Sequence, residues 1–226
     1  LGGLGNDLIA GGDGDDILTW DLSDSADTTS GGNGFDQLVV RGSDVVDNFN
    51  VTKSSGGSAR MRIDNGISTL TLGTSVEQVE LTAGDGNDTV SISDLRGVPG
   101  TLLTIRGEDG DDTLSAAEAP LGNVRLLLDG GDGLDVLTGS QNDDSLYGGL
   151  GNDSLVGGTG ADSLVGGNDE DRLEGGGGND TLLGGAGYDV LTGGGGTNLS
   201  TGGTGSDTFV VSSGEDLTIT DFDVTD

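Results

Sequence analysis

Large apolar residues recur every nine positions over the second half of the chain. Cut from Gly130 to Val210, the sequence gives nine consecutive units without an insertion. The eighth position of a unit is large and apolar in eight of the nine, with Ser200 as the exception: Leu137, Leu146, Leu155, Leu164, Leu173, Leu182, Leu191, Ser200 and Phe209. A spacing held over 81 residues indicates a true internal repeat.

The last three residues of each unit predict a short strand. Neighbouring side chains of a strand point to opposite faces, so the eighth residue faces one way and its two neighbours face the other. The seventh positions are mostly small, polar or β-branched, as in Ser154, Ser163 and Thr181, which suits an outward face. We therefore predict an all-β repeat whose eighth side chains form the core.

Glycine and aspartate dominate the six residues before each strand. The first position is glycine in all nine units, and the sixth is aspartate in all but one, which has Asn198. Glycines at the first, second and fourth positions permit positive φ and close approach of backbones, so a tight loop can turn its carbonyls inward. The aspartate adds a carboxylate, and such an all-oxygen cluster suits calcium, which takes about 6–8 oxygen ligands.

The units match the pattern GGxGxDxUx and resemble the RTX (repeats-in-toxin, hemolysin-type) calcium-binding nonapeptide repeat. Isolated copies begin at Gly2, Gly11 and Gly31. The resemblance implies a parallel β-roll in which two nonapeptides form one coil and calcium ions lie between loops stacked along each edge.

The resemblance also implies which residues bind the ions. The sixth-position aspartates of the repeats would be ligands, together with those of two similar loops that begin at Ala83 and Gly107: Asp7, Asp16, Asp36, Asp88, Asp112, Asp135, Asp144, Asp153, Asp162, Asp171, Asp180, Asp189 and Asp207. Loop carbonyls would complete the sites, from Gly131, Gly133, Gly149, Gly151, Gly158, Gly160, Gly167, Gly176, Gly178, Gly185 and Gly187. Asp169, at a fourth position, could supply an extra carboxylate.

Three units depart from the pattern, and we expect their loops to be distorted. Unit 166–174 has Asp169 at its fourth position. Unit 193–201 has Asn198 in place of the ligand and Ser200 in place of the core residue. Unit 139–147 has Ser140 and Asn142 where glycines belong.

The nine-residue period fails between 40 and 129, but the same loop recurs there at wider spacing. Loops begin at 83, 107 and 130, which are 24 and 23 residues apart, and a β-rich run precedes each loop. A degenerate copy at 42–50 keeps Asp47, and the runs ARMRID and STLTLG predict further strands. We interpret this part as a right-handed β-helix with one calcium corner per coil.

These segments together predict one elongated right-handed parallel β-solenoid. Repeats with an acidic insertion fill 1–39, wide coils fill 40–129, a narrow β-roll fills 130–210 and a partial cap fills 211–226. Two separate domains meeting near 129 are the alternative. We expect one edge to be continuous through Asp88, Asp112 and Asp135, and the opposite edge to begin only with the roll. About nine sites would then follow from 88 onwards, two in the wide coils and seven in the roll, with the weakest between 175–180 and 193–198.

Composition narrows the possible functions. The net charge is −32, from 40 acidic and 8 basic residues, with no histidine and no cysteine. This balance excludes binding to a nucleic-acid backbone or an anionic membrane, and no apolar run approaches the roughly 18 residues of a membrane span. Glycine-rich linkers and acidic tails do not keep a strict apolar period, whereas this chain does. We therefore expect the chain to be ordered when calcium is present.

The sequence thus predicts a non-catalytic, monomeric, calcium-binding module of a larger secreted or cell-surface protein. The chain opens at Leu1, directly before a repeat, so we expect it to be part of a longer protein. The resemblance implies that the module folds on export, when it meets extracellular calcium, and links it to type I secretion. An adhesin or surface-layer rod, with Trp20 and its acidic insertion as a contact surface, is the alternative. A polysaccharide-active β-helix enzyme is less favoured because the chain has no histidine and one lysine.

Overall fold

The structure is a computed structural model. It describes residues 8–21, 27–53, 61–64, 69–72, 76–98, 100–117, 119–211 and 216–221. Asp7, a predicted calcium ligand, lies outside the described residues.

The described residues form strands and turns, with no helix among them. No helix in this part of the chain is therefore long and apolar enough to cross a membrane. The strands are β1 (Leu8–Asp13), β2 (Ile17–Asp21), β3 (Asp27–Asn33), β4 (Gln37–Arg41), β5 (Asn48–Lys53), β6 (Met61–Asp64), β7 (Thr69–Leu72), β8 (Gln78–Thr82), β9 (Thr89–Ile92), β10 (Leu102–Asp109), β11 (Thr113–Ser115), β12 (Arg125–Asp132), β13 (Val136–Thr138), β14 (Ser145–Leu150), β15 (Ser154–Thr159), β16 (Ser163–Asn168), β17 (Arg172–Gly177), β18 (Thr181–Ala186), β19 (Val190–Gly195), β20 (Thr197–Thr204), β21 (Thr208–Val210) and β22 (Asp216–Ile219).

Two long sheets carry these strands. The first has 12 strands in the order β1-β3-β7-β6-β5-β9-β11-β13-β15-β17-β19-β21, and the second has 10 in the order β2-β4-β8-β10-β12-β14-β16-β18-β20-β22. From β8 onwards, successive strands alternate between the sheets and each pairs in parallel with the strand one coil later. The predicted all-β solenoid is confirmed, and wide and narrow coils share both sheets.

The core lies between the sheets and consists of the eighth-position side chains. Leu146, Leu164 and Leu182 stand in register in the second sheet and are fully buried. The matching column of the first sheet is Leu137, Leu155, Leu173 and Leu191. The seventh-position Thr181 is exposed, so the predicted inward and outward faces are confirmed.

The wide coils extend the same columns. Leu81, Ile105 and Leu128 stack in the second sheet just before their glycine loops. After β9 and β11 a longer return replaces a second loop, and it contributes the buried Leu95 and Leu121 to a broader core. The predicted single glycine–aspartate loop per wide coil is therefore confirmed for β8 to β11.

Strands β5, β6 and β7 depart from the predicted parallel coiling. The runs predicted there are strands, but β6 is antiparallel to both β5 and β7. Meanwhile β4 pairs directly with β8 in the second sheet, so this excursion widens only the first sheet.

Trp20 belongs to the interior. Its side chain is fully buried, and its indole N–H donates to Asp27 Oδ2 at 3.1 Å. The idea that Trp20 forms a contact surface is therefore wrong, because no part of the ring is accessible.

Candidate metal centre

The glycine–aspartate loops stack along two edges of the solenoid. The first edge holds the loops that lead from the 10-stranded sheet to the 12-stranded sheet: 42–47, 83–88, 107–112, 130–135, 148–153, 166–171, 184–189 and 202–207. The second edge holds the loops that lead back: 11–16, 31–36, 139–144, 157–162, 175–180 and 193–198. Each gap between two consecutive loops of one edge is one candidate metal site.

Hydrogen bonds between sixth-position aspartates join consecutive loops into ladders. The backbone N–H of Asp135 donates to Asp153 Oδ1 at 2.9 Å, and that of Asp153 donates to Asp171 Oδ1 at 2.8 Å. On the first edge the ladder is unbroken, through Asp47, Asp88, Asp112, Asp135, Asp153, Asp171, Asp189 and Asp207. The structure thus brings the predicted row together and adds Asp47 to it.

The second edge carries two ladders. The later one runs from Asp144 through Asp162 and Asp180 to Asn198, whose side-chain oxygen accepts the Asp180 N–H at 2.8 Å. The earlier ladder lies in the N-terminal coils, so the prediction that this edge begins only with the roll is wrong. The reason is that β1 joins the 12-stranded sheet and β2 the 10-stranded sheet, which places their loop on the second edge.

Glu77 ends the N-terminal ladder. Asp16 N–H donates to Asp36 Oδ1 at 3.0 Å, and Asp36 N–H donates to Glu77 Oε2 at 2.9 Å. Glu77 therefore occupies the ladder position of a sixth-position aspartate, but no glycine-rich loop precedes it. Sequence reasoning missed this residue because nothing in the repeat pattern marks it.

Each ladder leaves a second carboxylate oxygen without a partner. Oδ2 is buried and accepts no hydrogen bond on Asp16, Asp36, Asp88, Asp112, Asp135, Asp153, Asp162, Asp171, Asp180 and Asp189, whereas on Asp144 the oxygen without a partner is Oδ1. A buried carboxylate oxygen without a partner is costly, and its regular recurrence indicates a missing cationic partner.

The first glycine of each loop shows where these oxygens point. A Cβ placed on Gly157 would lie 2.5 Å from Asp162 Oδ2 and 2.6 Å from the carbonyl oxygen of Gly175 in the next loop. The equivalent point at Gly11 lies 2.6 Å from both Asp16 Oδ2 and the Gly31 carbonyl oxygen. In these loops an aspartate oxygen and a carbonyl of the following loop therefore converge on the gap, and the first-position glycine leaves this space open.

This geometry separates the roles of the three glycines. The second and fourth positions have positive φ, for example 126° at Gly149 and 110° at Gly151. First-position glycines such as Gly148 do not have positive φ, so the prediction that they need it is wrong. They are needed because a side chain at this position would collide with the aspartate oxygen and the carbonyl of the next loop. Asp169 takes the fourth-position conformation with φ 75° and is exposed. Its role as an extra ligand stays a prediction.

The oxygen set fits calcium. Among the described residues, no three or more histidine, cysteine, aspartate or glutamate side chains gather at one point. Each gap instead offers one carboxylate oxygen and backbone carbonyls, the hard oxygen ligands that calcium accepts in flexible geometry. The predicted aspartates would hold the ion from one loop, and the carbonyls of the next loop would close the site.

Electrostatics also favours an added cation. Burial raises the pKa of Asp112, Asp153, Asp162 and Asp171 to about 7, although the ladder N–H lowers it. Burial likewise raises the pKa of Asp88, Asp135 and Asp144 to about 6, and raises the pKa of Asp180 and Asp189. Neighbouring carboxylates add to the effect at several of these positions, including Asp112 and Asp162. The ladder aspartates are thus disfavoured as free anions, and a cation would remove that penalty.

A second, outer ladder uses the fifth position. Its asparagine or aspartate oxygen accepts the fifth-position N–H of the next loop, as Asn152 does from Glu170 at 3.1 Å. The same hydrogen bond recurs with a side-chain oxygen of five other residues as the acceptor: Asp15, Asn87, Asp111, Asp143 and Asn179. It runs opposite to the inner ladder, because here the earlier loop supplies the acceptor. Sequence reasoning missed this role, although Asn or Asp at seven fifth positions was a visible signal.

Stacked glycine–aspartate loops on a parallel β-solenoid, most of them with an unpartnered carboxylate oxygen facing a backbone carbonyl, define a cation-binding repeat protein. The family model of the RTX calcium-binding nonapeptide repeat (4 copies) matches residues 1–19, 104–118, 127–155, 147–182, 156–191 and 174–209. These matches cover more than half of the chain, which therefore belongs to the RTX calcium-binding repeat family. No curated protein matches the chain.

Proposed function

We propose that this chain is the calcium-binding module of a larger secreted or cell-surface protein and that it folds when calcium binds. The observation that carries the proposal is the row of buried, unpartnered aspartate oxygens along each edge. Without a cation these carboxylates oppose folding. With calcium in the gaps, the binding free energy becomes folding free energy.

The same coupling suits a protein that works outside the cell. Extracellular calcium modules bind with dissociation constants of about 0.1–1 mM, far above cytosolic free calcium. With a net charge of −32, the metal-free chain repels itself and stays extended before export. After export, calcium folds it into a stiff rod, in keeping with the type I secretion route that the family resemblance implies.

We propose a structural and secretion role in place of catalysis. The chain has no histidine, and its ladder carboxylates are explained as cation ligands. Any activity of the longer protein would then reside in another part of it.

A matched pair of variants tests the calcium role. Asp171→Asn keeps the oxygen that accepts the ladder N–H, as Asn198 does, but removes the carboxylate that faces the gap. Glu174→Gln removes one negative charge from an exposed ion pair with Arg172 on the outer sheet face. Far-UV circular dichroism during calcium titration should show a higher midpoint for Asp171→Asn and an unchanged one for Glu174→Gln. Equal midpoints for both variants and the parent chain would refute ligation by the ladder aspartates.

A further inference from the structure

Loops 42–47 and 139–144 differ from the other loops in the same way. Each has serine at the second position, and that serine binds its own sixth-position aspartate twice. Ser140 N–H and Oγ–H donate to Asp144 Oδ2 at 2.6 and 2.8 Å, and Ser43 donates to Asp47 Oδ2 at 2.8 and 3.0 Å. The oxygen that faces the gap in the other loops, and lacks a partner there, is therefore already satisfied.

The backbone of these two loops has also changed. Second and fourth positions of the regular loops have positive φ, as in Gly158 and Gly160. Neither Ser140 nor Asn142 lies in that region. The fourth-position Asn142 instead donates through Nδ2 to the carbonyls of Gly122 and Val124 at 3.2 and 3.1 Å. Those carbonyls belong to the return of the last wide coil, so the loop fastens the roll to the coil beneath it.

Position along the ladders explains why these loops differ. Loop 42–47 begins the ladder of the first edge, and loop 139–144 begins the later ladder of the second edge. On Asp144 the unpartnered oxygen is Oδ1, the one that accepts the ladder bond elsewhere, because no loop precedes it in that ladder. Loop 139–144 has to form against the return of the last wide coil, without a glycine loop beneath it.

We infer that Ser140 allows loop 139–144 to close without calcium. This inference rests on the proposed function. The serine amide and hydroxyl take the place of the cation at Asp144, so the gap between loops 139–144 and 157–162 holds no ion. The calcium row of this edge begins one gap later, at Asp162. Ser43 acts in the same way at the start of the first edge, so each of these two rows grows from a loop that hydrogen bonds have already formed.

Restoring the repeat tests the inference. Ser140→Gly combined with Asn142→Gly recreates the regular glycine loop, and isothermal titration calorimetry with calcium counts the ions bound. We expect one more ion per chain than in the parent. The control Ser206→Gly, at an exposed fifth position, should leave the count unchanged. An unchanged count in the folded double variant would overturn the role of Ser140.

A second measurement decides the question even if the double variant fails to fold. In crystals of the parent chain grown with calcium, anomalous density should be present beside Asp162 and Asp180 and absent beside Asp144. An ion beside Asp144 as well would overturn the inference and leave the proposed function intact. Absence of ions from every gap would refute both.

Discussion

Ser200 places a polar side chain in an apolar column, and its replacement tests the core assignment. It is fully buried between Leu182 and Ile219 of the neighbouring strands, and its hydroxyl has no hydrogen-bond partner. The adjacent Leu199 points outward and is 40% exposed. Unit 193–201 therefore keeps the register of the repeat, although this places the polar Ser200 inside and the apolar Leu199 outside. Ser200→Leu should restore the column.

Three contributions set the size of the effect. Burying a leucine side chain stabilises by about 1.5–3 kcal/mol. Removing a buried hydroxyl without a partner relieves a penalty of about 1–3 kcal/mol. An imperfect fit of the larger side chain costs about 1–3 kcal/mol. We expect a net stabilisation of about 1–3 kcal/mol, and each kcal/mol raises Tm by roughly 2–4 °C for a domain of this length.

Thermal unfolding at one fixed free calcium concentration measures the change, since bound ligand also shifts Tm. Thr181→Leu is the control, because it adds a leucine at an exposed outward position and should stay within about 0.5 kcal/mol of the parent. A lower Tm for Ser200→Leu, with the control unchanged, would mean that position 200 has no room for an apolar side chain and that our account of this coil is wrong.

Three further predictions concern the core, the outer ladder and pH. Leu164→Asp should destabilise the calcium-bound chain by several kcal/mol in denaturant unfolding, because it buries an unpaired charge. Thr181→Asp adds the same charge outside and should be mild, and equal losses would contradict the assigned faces. Asn152→Ala removes an outer-ladder acceptor and should cost about 0.5–1.5 kcal/mol, whereas the exposed third-position variant Asn168→Ala should not, and equal stability of the two would contradict a role for the ladder. Because burial raises the pKa of residues such as Asp171 to about 7, the metal-free fold binds protons more tightly than the unfolded chain and gains stability as pH falls from 7 towards 4. Protons compete with calcium for the same oxygens, so the calcium midpoint should rise between pH 8 and 6, and a midpoint independent of pH would contradict this view.

The core columns and the main ladders could be predicted because one local pattern fixes both. A glycine loop, an aspartate and an inward leucine recur at constant spacing, so the position of each residue follows from its neighbours in sequence. Strand pairing at β5, β6 and β7 could not be predicted, because alternating residues predict strands without giving their direction. The place of Glu77 depends on which coil stacks above Asp36, which is a long-range property of the fold.

The geometry also removes the reason for the predicted weakest calcium site. Sequence reasoning assigned it to the gap between loops 175–180 and 193–198 because of Asn198. In the structure, the carboxylate oxygen facing that gap belongs to Asp180, beside the carbonyl of Gly193. Asn198 supplies only the ladder acceptor there, so its amide does not remove the carboxylate oxygen that faces this gap. The sequence could not reveal this, because it does not show to which side a sixth-position side chain contributes its free oxygen.

The most direct test of the account is the far-UV circular dichroism of the chain at neutral pH, in excess chelator and then with calcium added back. We predict a disordered spectrum in chelator that becomes a β spectrum as calcium reaches the millimolar range. Magnesium should substitute poorly, because it requires tight octahedral geometry and gives up water reluctantly. A full β spectrum in chelator would contradict the claim that ions bound between the loops drive this fold.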